Sequence, residues 1–117
     1  MKDKTSTSTS KKMTQMRRGL LELAVLTIID SAMPTMRAGE IMEKLSKTEF
    51  HSPAGTLYFI FAELQKNKLV SYEYEEQDTS SPRRCYSLTK AGENLLKELR
   101  NYWYILDLTL KRLNSPR

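Results

Sequence analysis

The sequence predicts a mainly α-helical chain with one small β-hairpin, and three observations predict it. Apolar residues recur at helical spacing in four separate stretches; one region between them alternates with a period of two; and Pro34, Pro53 and the run Asp78 to Pro82 punctuate the pattern. A chain of 117 residues has room for one small core and an accessory element. Its formal charge of +5 is unevenly spread: up to Arg18, Lys2, Lys4, Lys11, Lys12, Arg17 and Arg18 face only Asp3, whereas from Gly19 onward 13 basic residues balance 13 acidic ones. An anionic partner is therefore met by the amino-terminal segment or by local clusters, not by the body of the chain.

Residues 1–15 begin MKDKTSTSTSKK, a Ser/Thr/Lys composition that buries little surface and lacks the apolar segment of a secretory signal, so a flexible basic arm is expected. The arm is read equally as a solubilising tail or as a thread that neutralises phosphates. From Met16 to Ala32, Leu20, Leu21, Leu23, Ala24, Leu26, Ile28 and Ile29 cover most of a helix circumference, as suits a helix covered on several sides. Pro34 ends it, and Thr35 is placed to cap a second amphipathic helix, MRAGEIMEKLSK. Ser52 is placed to cap a third helix with Pro53 at its first position, where a missing N–H costs nothing. In that helix Leu57, Ile60, Phe61 and Leu64 form one face, leaving Thr56, Phe59, Ala62, Glu63 and Lys66 outward and Tyr58 at the edge. After Asn67 and Lys68, aromatic and acidic residues alternate through Tyr72, Glu73, Tyr74 and Glu75, and Arg83 to Leu88 alternates again, which makes a hairpin.

Three short helices followed directly by a hairpin is the order of a winged helix-turn-helix, here residues 16–88. In that arrangement the sheet supports the third helix from behind and the helix is free to enter a DNA groove, so double-stranded DNA is the expected partner. The expected contact set is Arg37, Ser52, Gly55, Thr56, Tyr58, Phe59, Lys66, Arg83 and Arg84. Ser52, Gly55, Thr56, Tyr58 and Phe59 line the reading helix, which has no Arg or Lys before Lys66, so Arg37, the wing pair Arg83 and Arg84, and the arm must supply positioning charge. Glu63 opposes phosphate unless it pairs with a base amine. Read without context, Arg83 and Arg84 simply balance Glu73, Glu75, Glu76 and Asp78 across the hairpin.

RRGLLELAVLTII, SPAGTLY and SPRRCYSLTKAGENLL, followed by a long terminal helix, make the chain resemble the PadR family of transcriptional regulators, in the subgroup with a single C-terminal helix. The likeness runs from about Met16 to Leu113, and Thr56-Leu57-Tyr58 and the run from Pro82 to Gly92 are its specific parts. It implies a homodimeric DNA-binding repressor, in many members released by a small molecule. Two departures stand out. Arg37-Ala38-Gly39-Glu40-Ile41 replaces a Tyr-Gly-Tyr-Glu-Ile type stretch, which removes phenolic contacts and leaves Arg37 to reach a phosphate; Cys85 stands where an aromatic is common.

Residues 89–113 are expected to be a dimerisation helix capped by Thr89, with residues 114–117 as a tail. From Lys90 to Leu113 it would run about 36 Å. Leu95, Leu99, Tyr102, Leu106, Thr109 and Leu113 are spaced alternately by four and three, a coiled-coil-like seam, of which Leu95, Leu99, Tyr102, Leu106 and Leu113 are the expected dimer contacts. Leu96, Trp103 and Leu110 form a second stripe. A lone Trp on such a face is by default an interface residue. At the distance from Gly92 that Trp103 occupies, short-tailed drug-sensing family members carry a Trp lining a pocket at the dimer centre, so the resemblance implies a planar aromatic effector there.

Enzymatic chemistry finds no support. His51 is the only histidine, no Cys/His set has metal-ligand spacing, no glycine loop cradles a phosphate, and neither Ser52 nor Cys85 has an evident triad, so no cofactor or metal is expected. No apolar run approaches the roughly 20 residues of a membrane span, and a single cysteine forms no intrachain disulfide, which fits the cytoplasm. Two other readings stand beside the repressor: a winged-helix protein-interaction module, and DNA binding for plasmid partition or clock-related control.

Overall fold

The computed structural model describes residues 4–32, 34–75 and 83–116. Four helices, α1 (Lys4–Asp30), α2 (Ala38–Ser46), α3 (Ala54–Lys66) and α4 (Lys90–Leu113), surround a sheet of three strands, β1 (Met36–Arg37), β2 (Val70–Tyr74) and β3 (Arg84–Leu88). The strands are antiparallel in the order β1-β3-β2, with Tyr72 opposite Tyr86 and Arg37 opposite Cys85. This is the winged-helix arrangement, and the wing tip expected at Asp78 to Pro82 lies outside the described residues.

Leu21, Val25, Leu26 and Ile29 of α1 meet Ile41 and Leu45 of α2, Leu57, Ile60, Phe61 and Leu64 of α3, and Val70 and Tyr86 of the sheet in one apolar core. Apart from Val25, which the sequence reading left out, the helical members are positions that helical spacing selects. Phe61 and Tyr86 place their rings 5.1 Å apart, which fixes α3 against β3 and turns its other face to solvent. Cys85 and Tyr86 are both buried on β3, the central strand, which is paired along both edges.

The chain passes from α3 to β2 through a Schellman turn. Lys68 takes φ 60°, while the Lys68 and Leu69 amides donate to the carbonyls of Gln65 and Leu64 at 2.9 Å each. The next joint is built on the same turn. Thr89 donates its hydroxyl to the Lys68 carbonyl at 2.7 Å and its amide to the Leu69 carbonyl at 3.0 Å, and its hydroxyl oxygen caps α4 by accepting from the Gly92 amide at 3.0 Å. Gly92 is required there, since a Cβ at that position would lie 2.0 Å from the Leu69 carbonyl oxygen.

Three expectations are corrected. Helix α1 begins at Lys4, not Met16, so the segment expected to be a flexible arm is helical from Lys4 onward. Nothing in it stops a helix, since it holds neither Gly nor Pro, and Thr14 returns its hydroxyl to the Ser10 carbonyl at 2.9 Å within the ladder. Thr35 does not cap α2: Met36 and Arg37 pair with β3 first, and Arg37 occupies the N-cap position without a side-chain cap. Two residues are too few to reveal alternation, so β1 has no sequence signature. Ser52 does not cap α3. Its hydroxyl faces back to the Phe50 carbonyl at 3.3 Å and to Arg17, and Pro53 holds the N-cap position, accepting from Thr56 and Leu57. Leu95 and Leu99, at the start of the expected seam, are partly buried against the chain's own core.

Candidate nucleic-acid interface

Helix α3 buries Leu57, Ile60, Phe61 and Leu64 and presents Gly55, Thr56, Tyr58, Phe59, Ala62 and Lys66 to solvent. Tyr58 and Phe59 are 54% and 50% exposed. The helix forms a ridge between two clefts. One, of about 800 Å³, is lined by Arg37, Gly39, Glu40, Tyr58, Arg83 and Arg84 among others. The second, of about 990 Å³, lies toward α1 and brings together Thr14, Arg17, Arg18, His51, Ser52, Gly55, Thr56 and Phe59. Eight of the nine residues expected to touch DNA thus fall on the two flanks of α3, and Lys66 sits apart at its carboxyl end.

In the first cleft the cations are held in different ways. Arg37 donates Nε to Glu40 Oε1 at 3.0 Å and lies 3.9 Å from Glu75. The hydrogen bond to Glu40, and then the charge of Glu75, raise the pKa of Arg37, while the same bond lowers that of Glu40. Arg84 lies over the Tyr72 ring at 4.4 Å, and hydrogen bonding to Tyr86 and Tyr74 raises its pKa. Tyr74 is shifted down in turn, first by Arg84 and then by Tyr72. Arg84 is therefore an oriented cation on a wall of tyrosines, and Arg83 beside it is exposed.

The second cleft contains what sequence reasoning missed. Arg17 donates to the His51 carbonyl and to Ser52 Oγ, and its guanidinium lies 5.8 Å from the Phe50 ring, so it ties α1 to the loop before α3. Arg18 instead lies over Phe59 at 5.4 Å, on the exposed face of α3. The signal was present as spacing, because Lys11, Thr14 and Arg18 fall on one helical face, but the Ser/Thr/Lys composition hid the helix.

At the other end of the molecule α4 overhangs. From Asn101 to Leu113 every residue except Asp107 is exposed, including Tyr102 at 72%, Leu113 at 77% and Trp103 at 50%. The amino-terminal part of α4 is anchored by Leu96 in the core and by an ion pair of Arg100 with Asp30 at 3.6 Å. No helix among the described residues is long and apolar enough to cross a membrane, and no group of three or more His, Cys, Asp or Glu among them could hold a metal ion.

Comparison with known proteins agrees with this architecture. The model of the PadR-like transcriptional regulator family matches residues 25–98. A PadR-like transcription factor from Bacteroides fragilis is 32% identical over 88% of this chain and 98% of its own, with a TM-score of 0.77. A PadR family transcriptional regulator from Eggerthella lenta is 26% identical over 92% of this chain and 94% of its own, and a PadR-like regulator from Bacillus cereus is 27% identical over 88% and 99%, each with a TM-score of 0.75. No curated protein matches. An exposed helix α3 flanked by arginines on a winged-helix body, with a family match across most of that body, places the chain in the PadR-like family of transcriptional regulators.

Proposed function

We propose that the protein is a homodimeric repressor that reads a palindromic operator with α3 and is joined to its mate through the overhang of α4. The observation that carries this reading is the position of α3: its exposed side chains form a ridge with arginines on both flanks and the core behind it. Thr56, Phe59 and Tyr58 supply contacts to base edges, thymine methyls and phosphates; Arg37, Arg83 and Arg84 position the duplex. Tyr102, Leu106 and Leu113 are seam residues, since an apolar row of this exposure on a 24-residue helix calls for a second helix. Leu95 and Leu99 border that seam from the core side. Twofold pairing sets two reading helices on successive turns of one DNA face, which makes the operator palindromic. As a chromosome-binding protein it works in the cytoplasm.

Trp103, half exposed beside Tyr102 and Tyr104, is the site at which a planar aromatic compound would stack between the two α4 helices and release the DNA. The competing reading is a protein-interaction module, and a specific observation favours it: Arg37 is engaged by two carboxylates and α3 has no cation before Lys66. Titration against fragments of the chromosome, the gene's own promoter included, separates the two. A protected palindrome with affinity that falls steeply with salt supports the regulator; absence of any specific site at low salt leaves the interaction module.

A further inference from the structure

We infer that the amino-terminal half of α1 is a rigid phosphate clamp, in which Lys11, Thr14 and Arg18 grip the DNA backbone on the flank of α3 away from Arg37 and Arg83. The inference rests on the DNA-binding reading and adds a second line of contact to it. Three observations carry it. Lys11, Thr14 and Arg18 are spaced by three and four residues within one continuous helix, so they share a face, and all three are exposed. That face borders the reading helix, because Thr14 and Arg18 line the same cleft as Gly55, Thr56 and Phe59, and Arg18 lies over Phe59. Among the described residues the cleft has no acidic lining residue, whereas Glu40 and Glu43 line the cleft on the other flank.

The neighbouring arginines divide the work. Arg17 uses its guanidinium on His51 and Ser52 within the chain. Among the described residues Arg18 has no hydrogen bond and neither Arg18 nor Lys11 has an ion pair, so their charge is available to a partner. A phosphodiester is the fitting occupant. A major groove that receives α3 is bordered by two phosphate strands, and Arg37 with Arg83 addresses the flank marked by Tyr58. The flank marked by Phe59 has only α1 to meet the other strand. Helical order makes this contact stronger than a flexible thread could, since the chain entropy is lost on folding and not on binding.

The test measures the salt dependence of operator binding by the full chain, its Lys11→Ala/Arg18→Ala variant, and Arg17→Ala. In a dimer the double variant is expected to flatten the slope of log K against log salt by roughly 2–4 units, with sequence preference and melting temperature unchanged. Arg17→Ala is expected to lower the melting temperature instead. Should the double variant lose helix, Arg18→Lys, which keeps the slope, is compared with Arg18→Gln, which loses charge. A wild-type slope for Arg18→Gln, or for a folded double variant, overturns the clamp while leaving DNA binding intact. If the unaltered chain has no salt-dependent DNA binding, the DNA-binding reading fails and the clamp with it.

Discussion

Lys68 and Gly92 show how single residues hold this fold in position. Lys68 adopts the left-handed conformation in which glycine is at ease, and the Schellman turn holds it there. Lys68→Gly is expected to stabilise the protein by about 0.5–1 kcal/mol, the relief of strain exceeding the added freedom of the unfolded chain, as denaturant midpoints would show. Gly92 is the opposite case. Gly92→Ala drives a methyl into the Leu69 carbonyl and is expected to cost at least about 2 kcal/mol, read from the same titration. A loss below about 0.5 kcal/mol would mean that the joint yields easily. Neither role was legible beforehand: a lysine carries no turn signal, and the approach of Leu69 to α4 joins residues far apart in the chain.

At the scale of elements, legibility followed the range of the contacts. Thr89 was read as a cap and is one, because its acceptor and the Gly92 amide are three residues apart. Ser52 had the same local signature, yet Arg17 and the Phe50 carbonyl hold its hydroxyl, and Arg17 lies 35 residues away. The bounds expected for α4 match Lys90–Leu113, since a strong seven-residue pattern survives any tertiary context. What the seam pattern could not separate was the part of α4 that meets its own chain. Leu106→Asp is therefore expected to leave the monomer's melting temperature unchanged while sedimentation changes from dimer to monomer; Leu99→Asp is expected to lower both, as it also reaches the core. If Leu106→Asp sediments as the parent does, the overhang is not the interface.

The molecule as a whole spans 63 × 39 × 25 Å, and its length comes from the two helices that reach past the core at their free parts. The winged-helix order was legible from the chain because each helix has its own apolar stripe and the hairpin its own alternation. The charge was legible only as a total. Sequence assigned Lys2, Lys4, Lys11 and Lys12 to a loose thread and Arg17 and Arg18 to the start of a helix, and the fold sets those two arginines beside α3. On DNA, Arg83→Ala is expected to weaken binding to all sequences alike, and Thr56→Ala or Phe59→Ala to change which sequences are preferred, as a binding-site selection experiment would reveal. Arg83 is the better choice over Arg84, whose removal would also loosen Tyr72, Tyr74 and Tyr86. Equal loss of preference from both classes would refute this division of roles.

The Thr89 joint gives the molecule a lever. One turn of backbone at Lys68 and Leu69 is shared by the end of the reading helix and the start of α4, with hydrogen bonds of 2.7 and 3.0 Å across it. A rotation of α4 about its anchor would therefore be passed to the carboxyl end of α3 through these bonds. The free arm beyond Arg100 is about 20 Å long, so a proposed effector one aromatic ring thick near Trp103 would act with a long mechanical advantage. In the proposed dimer two such arms back to back would work like the handles of a pair of tongs, and the tips would need to move by only a few ångströms, out of about 34 Å between successive grooves, to miss their half-sites.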